Sequence, residues 1–148
     1  MYQHILVPTD GSATSDKAVT EAIAMARLSG GSIRLLHLVD ALTVASVADG
    51  FASYAAEVLP LLREAGEKVL EAARQRVAAA GVGVETTLRE VVAGRVCDLV
   101  QQEAAAWPAD LIVIGTHGRR GVQRLLLGSD AEQILRSATV PVLLVRGG

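Results

Sequence analysis

The sequence predicts one α/β domain built on a parallel sheet. Short runs of β-branched and aliphatic residues alternate along the chain with longer segments whose apolar residues recur at helical spacing. Strands joined by helices in this way pair in parallel, with right-handed crossovers. The 148 residues suit one domain, and 51% of them are hydrophobic, which is enough for a well-buried core. We therefore expect a single domain over residues 1–148 with the pattern βαβαβαβαβ.

Five apolar runs are predicted as strands. The first ends at Pro8, which lacks an N–H and therefore belongs at the end of a strand. The third shows the clearest alternation of apolar and polar residues, which is typical of an edge strand with one less covered face. In chain order the predicted strands are residues 4–8, 32–39, 82–91, 110–115 and 140–146.

Four longer segments are predicted as helices. Gly30 and Gly31 end the first and Gly81 ends the second, in the manner of C-cap glycines. Pro60 is expected in the first turn of the second helix or just before a later start. Residues 40–57 are expected to form a loop or a short helix. The predicted helices are residues 15–29, 56–80, 95–106 and 129–137.

Charge and cysteine content narrow the class of protein. The chain has 14 Lys and Arg against 16 Asp and Glu, a net charge of −2, which gives no broad attraction to nucleic acid or to an anionic membrane. Cys97 is the only cysteine, so neither an internal disulfide nor a thiolate metal cluster can form, and a buried core thiol is expected. The start lacks a signal-peptide pattern, and no apolar run approaches ~18 residues. We expect a cytoplasmic protein without a membrane or nucleic-acid partner.

The stretch GTHGRRGVQRLLLGSDAE, residues 115–132, joins the fourth strand to the last helix and is unusually long. Such connections have about 2–6 residues in most α/β units. Glycines let the backbone approach a ligand, consecutive N–H groups form an anion nest, and a helix start adds unpaired donors. Arginines at 119, 120 and 124 add positive charge. A phosphate group is therefore the expected guest, although neither a Walker A motif nor a Gly-x-Gly-x-x-Gly after the first strand occurs.

A simpler interpretation of the same residues stays open. Ser129 and Glu132 have the spacing of a capping box, so Gly128-Ser129 could be an ordinary helix start. Arg119 and Arg120 could be solvated side chains. A cap alone, however, does not account for the length of the loop or for its glycines.

The spacing Gly115-x2-Gly118-x9-Gly128-Ser129 resembles the nucleotide-binding motif of the universal stress protein family. The stretches ILVPTDGS, LLHLVD and VPVLLVR are similar to the first strand and turn, the second strand and the closing strand of that family. The resemblance covers essentially the whole chain. It implies a doubly wound, Rossmann-like parallel sheet in the order 3-2-1-4-5 with helices on both faces. That order sets strands 1 and 4 side by side at the topological switch point, where open α/β sheets bind ligands.

The resemblance also implies roles for individual residues. Asp10 matches the acid that faces the adenine side of the ligand, and its alternative is an Asx turn with Gly11. The backbone of Val39 would contact the adenine edge, with a plain core position as its alternative. Glycines of the loop would lie against ribose and phosphate, and the start of the last helix would hold phosphates. The predicted binding set is Pro8, Thr9, Asp10, Val39, Gly115, Thr116, His117, Gly118, Arg119, Gly128, Ser129 and Asp130.

Asp130 departs from the family, which often has an apolar residue after the Gly-Ser pair. A carboxylate there favours the helix N-terminus but repels phosphate unless a cation intervenes, so a Mg²⁺ requirement stays open. No catalytic residue or metal ligand is predicted, and His4 and His37 lie in strands without ligand spacing.

The function expected from the resemblance is binding of ATP by a stress-response sensor or regulator. The alternatives are a slow ATPase or nucleotidyl transferase, and an interaction protein that binds no nucleotide. In the family the closing strand pairs across a homodimer, so a homodimer through residues 140–146 is also expected.

Overall fold

Five strands form one parallel sheet in the order β3-β2-β1-β4-β5, which confirms the predicted order 3-2-1-4-5. The computed structural model describes residues 1–42, 44, 52–116 and 129–147. The strands are β1 His4–Pro8, β2 Ser32–Val39, β3 Val84–Glu90, β4 Leu111–Gly115 and β5 Val142–Val145. The helices are α1 Ala13–Ser29, α2 Ala52–Ala79, α3 Val96–Ala106 and α4 Ser129–Ser137.

Helices cover both faces of the sheet, as the doubly wound prediction requires. Successive side chains of a strand point to opposite faces. Ile5 and Val7 therefore join a buried cluster with α1 and α2, whereas Leu6 joins a second cluster with α3 and α4. Cys97 is 1% exposed in the second cluster, so the prediction of a buried core thiol is confirmed.

Strand β1 lies at the centre of the sheet, where Leu6 is in register with both Arg34 of β2 and Ile112 of β4. From these neighbouring strands the chain leaves in opposite directions. It turns from β1 into α1 on one face and continues after β4 to α4 on the other. The switch point of the sheet therefore lies at the carboxyl ends of β1 and β4, where open α/β sheets form a crevice that binds ligands.

At the other end of the sheet, near the amino ends of its strands, aromatic rings and charged side chains form a cluster. The guanidinium of Arg34 lies 5.0 Å from the ring centre of Trp107, and that ring lies 4.8 Å from the ring of His4. Arg34 also forms an ion pair at 3.3 Å with Glu103, which is buried on α3. Glu103 forms a second ion pair with Arg89 at 2.6 Å. The cluster joins β1, β2, β3 and α3.

The structure corrects the predicted start of the second helix. Helix α2 begins at Ala52, so Pro60 lies inside it, neither in its first turn nor before its start. Residues 52–57 thus belong to α2, whereas 43 and 45–51 lie outside the described residues. Packing against β2 and β3 stabilises α2 despite the unfavourable proline, as tertiary contacts often outweigh helix propensity.

The strands β3 and β5 are shorter than predicted. Strand β5 pairs only from Val142 to Val145, opposite Ile112 to Gly115 of β4. A strand ends where its neighbour has no more backbone groups to pair with. The hydrophobicity of the sequence does not show where that pairing stops. None of the described helices combines the length and the hydrophobicity needed to cross a membrane.

Candidate functional site

The turn after β1, residues 9–12, is tied to both neighbouring elements and is called the β1 turn below. Thr9 N donates to Leu36 O of β2 at 2.8 Å, and the Thr9 hydroxyl lies 3.2 Å from that of Ser15 in α1. Asp10 N donates to the same Ser15 Oγ at 3.3 Å. Thr9 and Ser15 are both buried. The turn is therefore held from within the fold before any ligand arrives, with Pro8 ending the strand beside it.

Asp10 forms the Asx turn predicted as its alternative role. Its Oδ1 accepts a hydrogen bond from Ser12 N at 2.9 Å, and Gly11 has φ +79°, which a side chain would strain. Ser12 in turn caps α1, since its hydroxyl accepts from Ser15 N at 3.2 Å. The contact with adenine stays a prediction. The structure shows how the carboxylate is oriented.

Val39 lies at the same edge of the sheet, at the end of β2. Its side chain is 3% exposed, as the core alternative predicts. Its carbonyl oxygen accepts a hydrogen bond from Val91 N at 2.8 Å. A carbonyl has two lone pairs, so this backbone contact leaves acceptor capacity for the predicted adenine edge.

The end of β4 packs directly on the start of α1. A Cβ on Gly115 would lie 2.6 Å from Thr14 Cγ2 and 3.0 Å from Thr14 O, so only glycine fits there. Thr116 is buried, its N–H donates to Val145 O at 2.9 Å, and its hydroxyl accepts from Gly147 N at 3.5 Å. Packing within the protein therefore already accounts for the glycine at 115, independently of the predicted ribose contact.

The start of α4 is exposed and acidic. Ser129 and Asp130 are both exposed, and the first turn carries Asp130 and Glu132. Ser129 is already inside the helix, and Glu132 Oε1 accepts from Arg136 at 2.7 Å instead of reaching back to the helix start. These positions differ from the predicted alternative of a capping box, in which Ser129 would precede the helix.

The structure thus brings part of the predicted set to one edge of the sheet. Pro8, Thr9 and Asp10 follow β1, Gly115 and Thr116 end β4 next to it, and Val39 ends β2. Ser129 and Asp130 open α4, whose start lies at the same edge because α4 leads back to the amino end of β5. The predicted residues that lie outside the described ones are His117, Gly118, Arg119 and Gly128, together with the arginines at 120 and 124.

Sequence reasoning missed His37, which lies directly beneath the β1 turn. Its Nδ1 is 2.9 Å from Thr9 O, and the ring packs against Gly66 of α2. A histidine inside the apolar run LLHLV is itself a signal, because a polar ring in a buried strand needs a hydrogen-bond partner. Among the described residues, no group of three or more His, Cys, Asp or Glu side chains is placed to hold a metal ion.

Comparison with known proteins connects this architecture to one family. The family model for the Universal stress protein family matches residues 1–146. The universal stress protein MJ0531 of Methanocaldococcus jannaschii is 33% identical over 148 residues, which cover 99% of this chain and 83% of that protein.

Solved structures agree with the sequence comparison. That of MJ0577, from the same organism, superposes with a TM-score of 0.85 at 27% identity, over 100% of this chain and 98% of that one. A universal stress protein in complex with cAMP superposes at 0.63 with 27% identity, covering 98% and 97% of the two chains. The sheet order, the switch-point crevice and these matches agree, and the chain belongs to the universal stress protein family.

Proposed function

We propose that this chain binds ATP and acts as a nucleotide-dependent sensor or regulator in a cytoplasmic stress response. The observation on which the proposal rests is the switch point, where the pre-organised β1 turn leads into α1 and the end of β4 packs against Thr14 of that helix. The glycine motif starts at that end of β4. A universal stress protein of 27% identity has been solved with cAMP, an adenine nucleotide, which supports the same class of ligand here.

The described residues offer each part of the nucleotide a matching partner. Asp10 and the Val39 backbone would face the adenine, and Pro8 and Thr9 would line the pocket beside it. Phosphates would lie at the exposed start of α4, whose first N–H groups have no partner within the helix. The loop before it would contribute Gly118, His117, Arg119 and Gly128, with Thr116 at its base.

The charge at the start of α4 affects whether the nucleotide binds alone or together with Mg²⁺. Glu132 is neutralised by Arg136, whereas Asp130 makes no recorded ion pair within the part of the chain that the structure describes. Its carboxylate would repel a highly charged phosphate chain. A Mg²⁺ ion between them would remove that repulsion, and we include it in the proposal.

The geometry favours binding over turnover. The Thr9 and Ser15 hydroxyls at the β1 turn are buried and engaged with each other and with the backbone. They hold the turn and are poorly placed to attack a phosphate. Slow ATP hydrolysis is the alternative, and release of inorganic phosphate from bound ATP would favour it.

Calorimetric titration with ATP, ADP, AMP and GTP, with and without Mg²⁺, tests the proposal. We expect adenine-selective binding that weakens by about tenfold or more in a Gly118→Val, Ser129→Ala double variant, since contacts to phosphate are charge-assisted. Ser137→Ala, at the other end of α4, is the matched control and should bind as the unmodified protein does. If the folded protein binds no nucleotide at millimolar concentration, the proposal is wrong and the chain is better explained as an interaction module.

The proposal includes a homodimer through residues 140–146. Strand β5 lies at an edge of the sheet, all four of its residues are only half-buried, and they are all aliphatic. An apolar edge strand offers unpaired backbone groups to a second chain. Two copies that meet along β5 would cover these side chains.

A further inference from the structure

His37 joins the β1 turn to the body of the fold. The residue lies in β2 on the face that also carries Ile33 and Leu35, under α2. Its Nδ1 lies 2.9 Å from Thr9 O. A carbonyl oxygen only accepts, so Nδ1 must hold the hydrogen and donate it. Without this donor the carbonyl of a buried residue would lose its side-chain partner.

Gly66 allows α2 to close over the imidazole ring. A Cβ at this position would lie 2.5 Å from His37 Cδ2 and 2.9 Å from His37 Nε2. Glycine is less favourable than alanine in a helix interior, and Gly66 has no positive φ that would require it. The Cβ would also lie 2.9 Å from Leu88 Cδ1, so the close approach of the His37 ring, together with Leu88, explains the glycine.

The same part of α2 also touches the β1 turn itself. A Cβ on Gly11 would lie 3.0 Å from Cγ2 of Val69, one helical turn along from Gly66. Residues 66–69 of α2 thus contact both the ring that holds Thr9 and the glycine that follows Asp10. The position of the turn depends on α2 as well as on α1.

We propose that His37 and Gly66 are positioning residues that set the orientation of the β1 turn and thereby the affinity for nucleotide. The inference rests on the proposed function, because Asp10 in this turn is the residue expected to face adenine. His37 does not touch the nucleotide. It acts through the Thr9 carbonyl, and Gly66 acts by leaving room for the ring.

Three variants separate positioning from simple packing. His37→Phe keeps a ring but removes the donor, and we expect it to weaken ATP binding about tenfold. His37→Asn places an amide nitrogen close to the Nδ1 position, so its affinity should return to within about threefold of the unmodified protein. Gly66→Ala should weaken binding on its own. In the His37→Asn background its added effect should be smaller, because asparagine lacks the Cδ2 and Nε2 atoms that the new methyl group would meet and only the contact with Leu88 Cδ1 remains.

Amide hydrogen exchange of the nucleotide-free protein gives a readout that does not depend on binding. In His37→Phe the amides of Asp10 and Ser12 should exchange faster, relative to amides of β4 as an internal reference, and in His37→Asn they should not. If unmodified protein binds no nucleotide, the proposed function fails, and exchange alone still decides the role of His37.

Two results would overturn the inference. The first is exchange at Asp10 and Ser12 that is unchanged in His37→Phe. The second is equal loss of affinity in the Phe and Asn variants, in proportion to their loss of thermal stability, which would show that His37 serves packing alone.

Discussion

Asp130 places an exposed negative charge where the phosphates of the nucleotide are proposed to bind. Its exposed carboxylate stands in the first turn of α4, where the helix dipole favours a negative charge by about 0.3–1 kcal/mol. A phosphate group would use the same N–H groups and the same partial charge. The carboxylate of Asp130 therefore stabilises the helix but lowers the affinity for phosphate.

The competition predicts a gain of affinity on removing the charge. One charge a few ångströms from a phosphate in water is worth about 1 kcal/mol, so Asp130→Asn should tighten ATP binding about fivefold without Mg²⁺. With Mg²⁺ the gain should shrink or reverse, because the ion loses a ligand. Glu132→Gln is the matched control, and should change affinity less since Arg136 already neutralises that carboxylate. Equal effects of the two variants in titration calorimetry would contradict this account.

The lowered pKa of the Asp110 carboxyl predicts that the stability of the protein depends on pH. Burial raises the pKa of its carboxyl, but hydrogen bonds from Gln3 N at 2.9 Å and His4 N at 3.0 Å outweigh burial, and the pKa lies below its usual 3.8. A carboxyl whose pKa is lowered on folding stabilises the protein fully above its unfolded-state pKa. That stabilisation is lost as the pH falls through the folded-state value.

Asp110→Asn should therefore lower the free energy of unfolding by about 1 kcal/mol near neutral pH, since an amide offers one acceptor oxygen for two donors. Urea denaturation at a series of pH values checks this. The difference between the two proteins should close at acid pH, once the carboxyl is protonated in both states. A difference that stays constant from neutral to acid pH would mean that the charge of Asp110 is unimportant.

Helix α2 carries a proline where a helix ordinarily excludes one. Proline in a helix interior lowers the stability of the folded state by about 3 kcal/mol relative to alanine. Its stiffness restricts the unfolded chain, which offsets about 1 kcal/mol of that loss. Pro60→Ala should therefore stabilise the protein by about 1–2 kcal/mol, seen as a higher midpoint in thermal unfolding. An unchanged or lower midpoint would indicate that Pro60 is not in a helix interior, and would favour one of the two positions that the sequence predicts, the first turn or just before a later start.

Elements bounded by local signals could be predicted to the residue. Strands β1 and β2 and helix α4 have the predicted bounds, because proline, glycine or a turn motif marks their ends. The bounds of β5 depend on the length of β4, and the start of α2 depends on packing against the sheet. Neither boundary is marked by a residue in the local sequence. The contact of His37 with Gly66 likewise joins residues far apart in sequence, so motif matching found Asp10 but not the ring beneath it.

The whole sheet determines where the candidate site can be. Since β1 and β4 are neighbours and their helices leave toward opposite faces, the crevice between their carboxyl ends is a consequence of strand order. Thr14, at the start of α1, packs on Gly115 at the end of β4 and on Gly147. The N-terminal, central and C-terminal parts of the chain meet there. Truncation of any one of them would remove part of the site.

Assembly at the β5 edge can be tested through the backbone. Pro141 O and Val145 O accept from β4, so the peptide group of Leu144 points to the open edge. Leu144→Pro removes an outward N–H and should convert a dimer to a monomer in sedimentation velocity. Leu144→Ala removes more of the apolar side chain but keeps that N–H, and should stay dimeric. A monomer for the unmodified protein at tens of micromolar would rule out the proposed dimer.

The contacts of Trp107 with His4 and Arg34 give the molecule an intrinsic fluorescent reporter. This is the chain's one tryptophan, and it lies at the amino edge of the sheet, opposite the candidate site. Its fluorescence should change when β1, β2 and α3 separate, and should be insensitive to direct contact with a bound nucleotide. Emission from this single indole can therefore follow unfolding in every variant above, with or without ligand present.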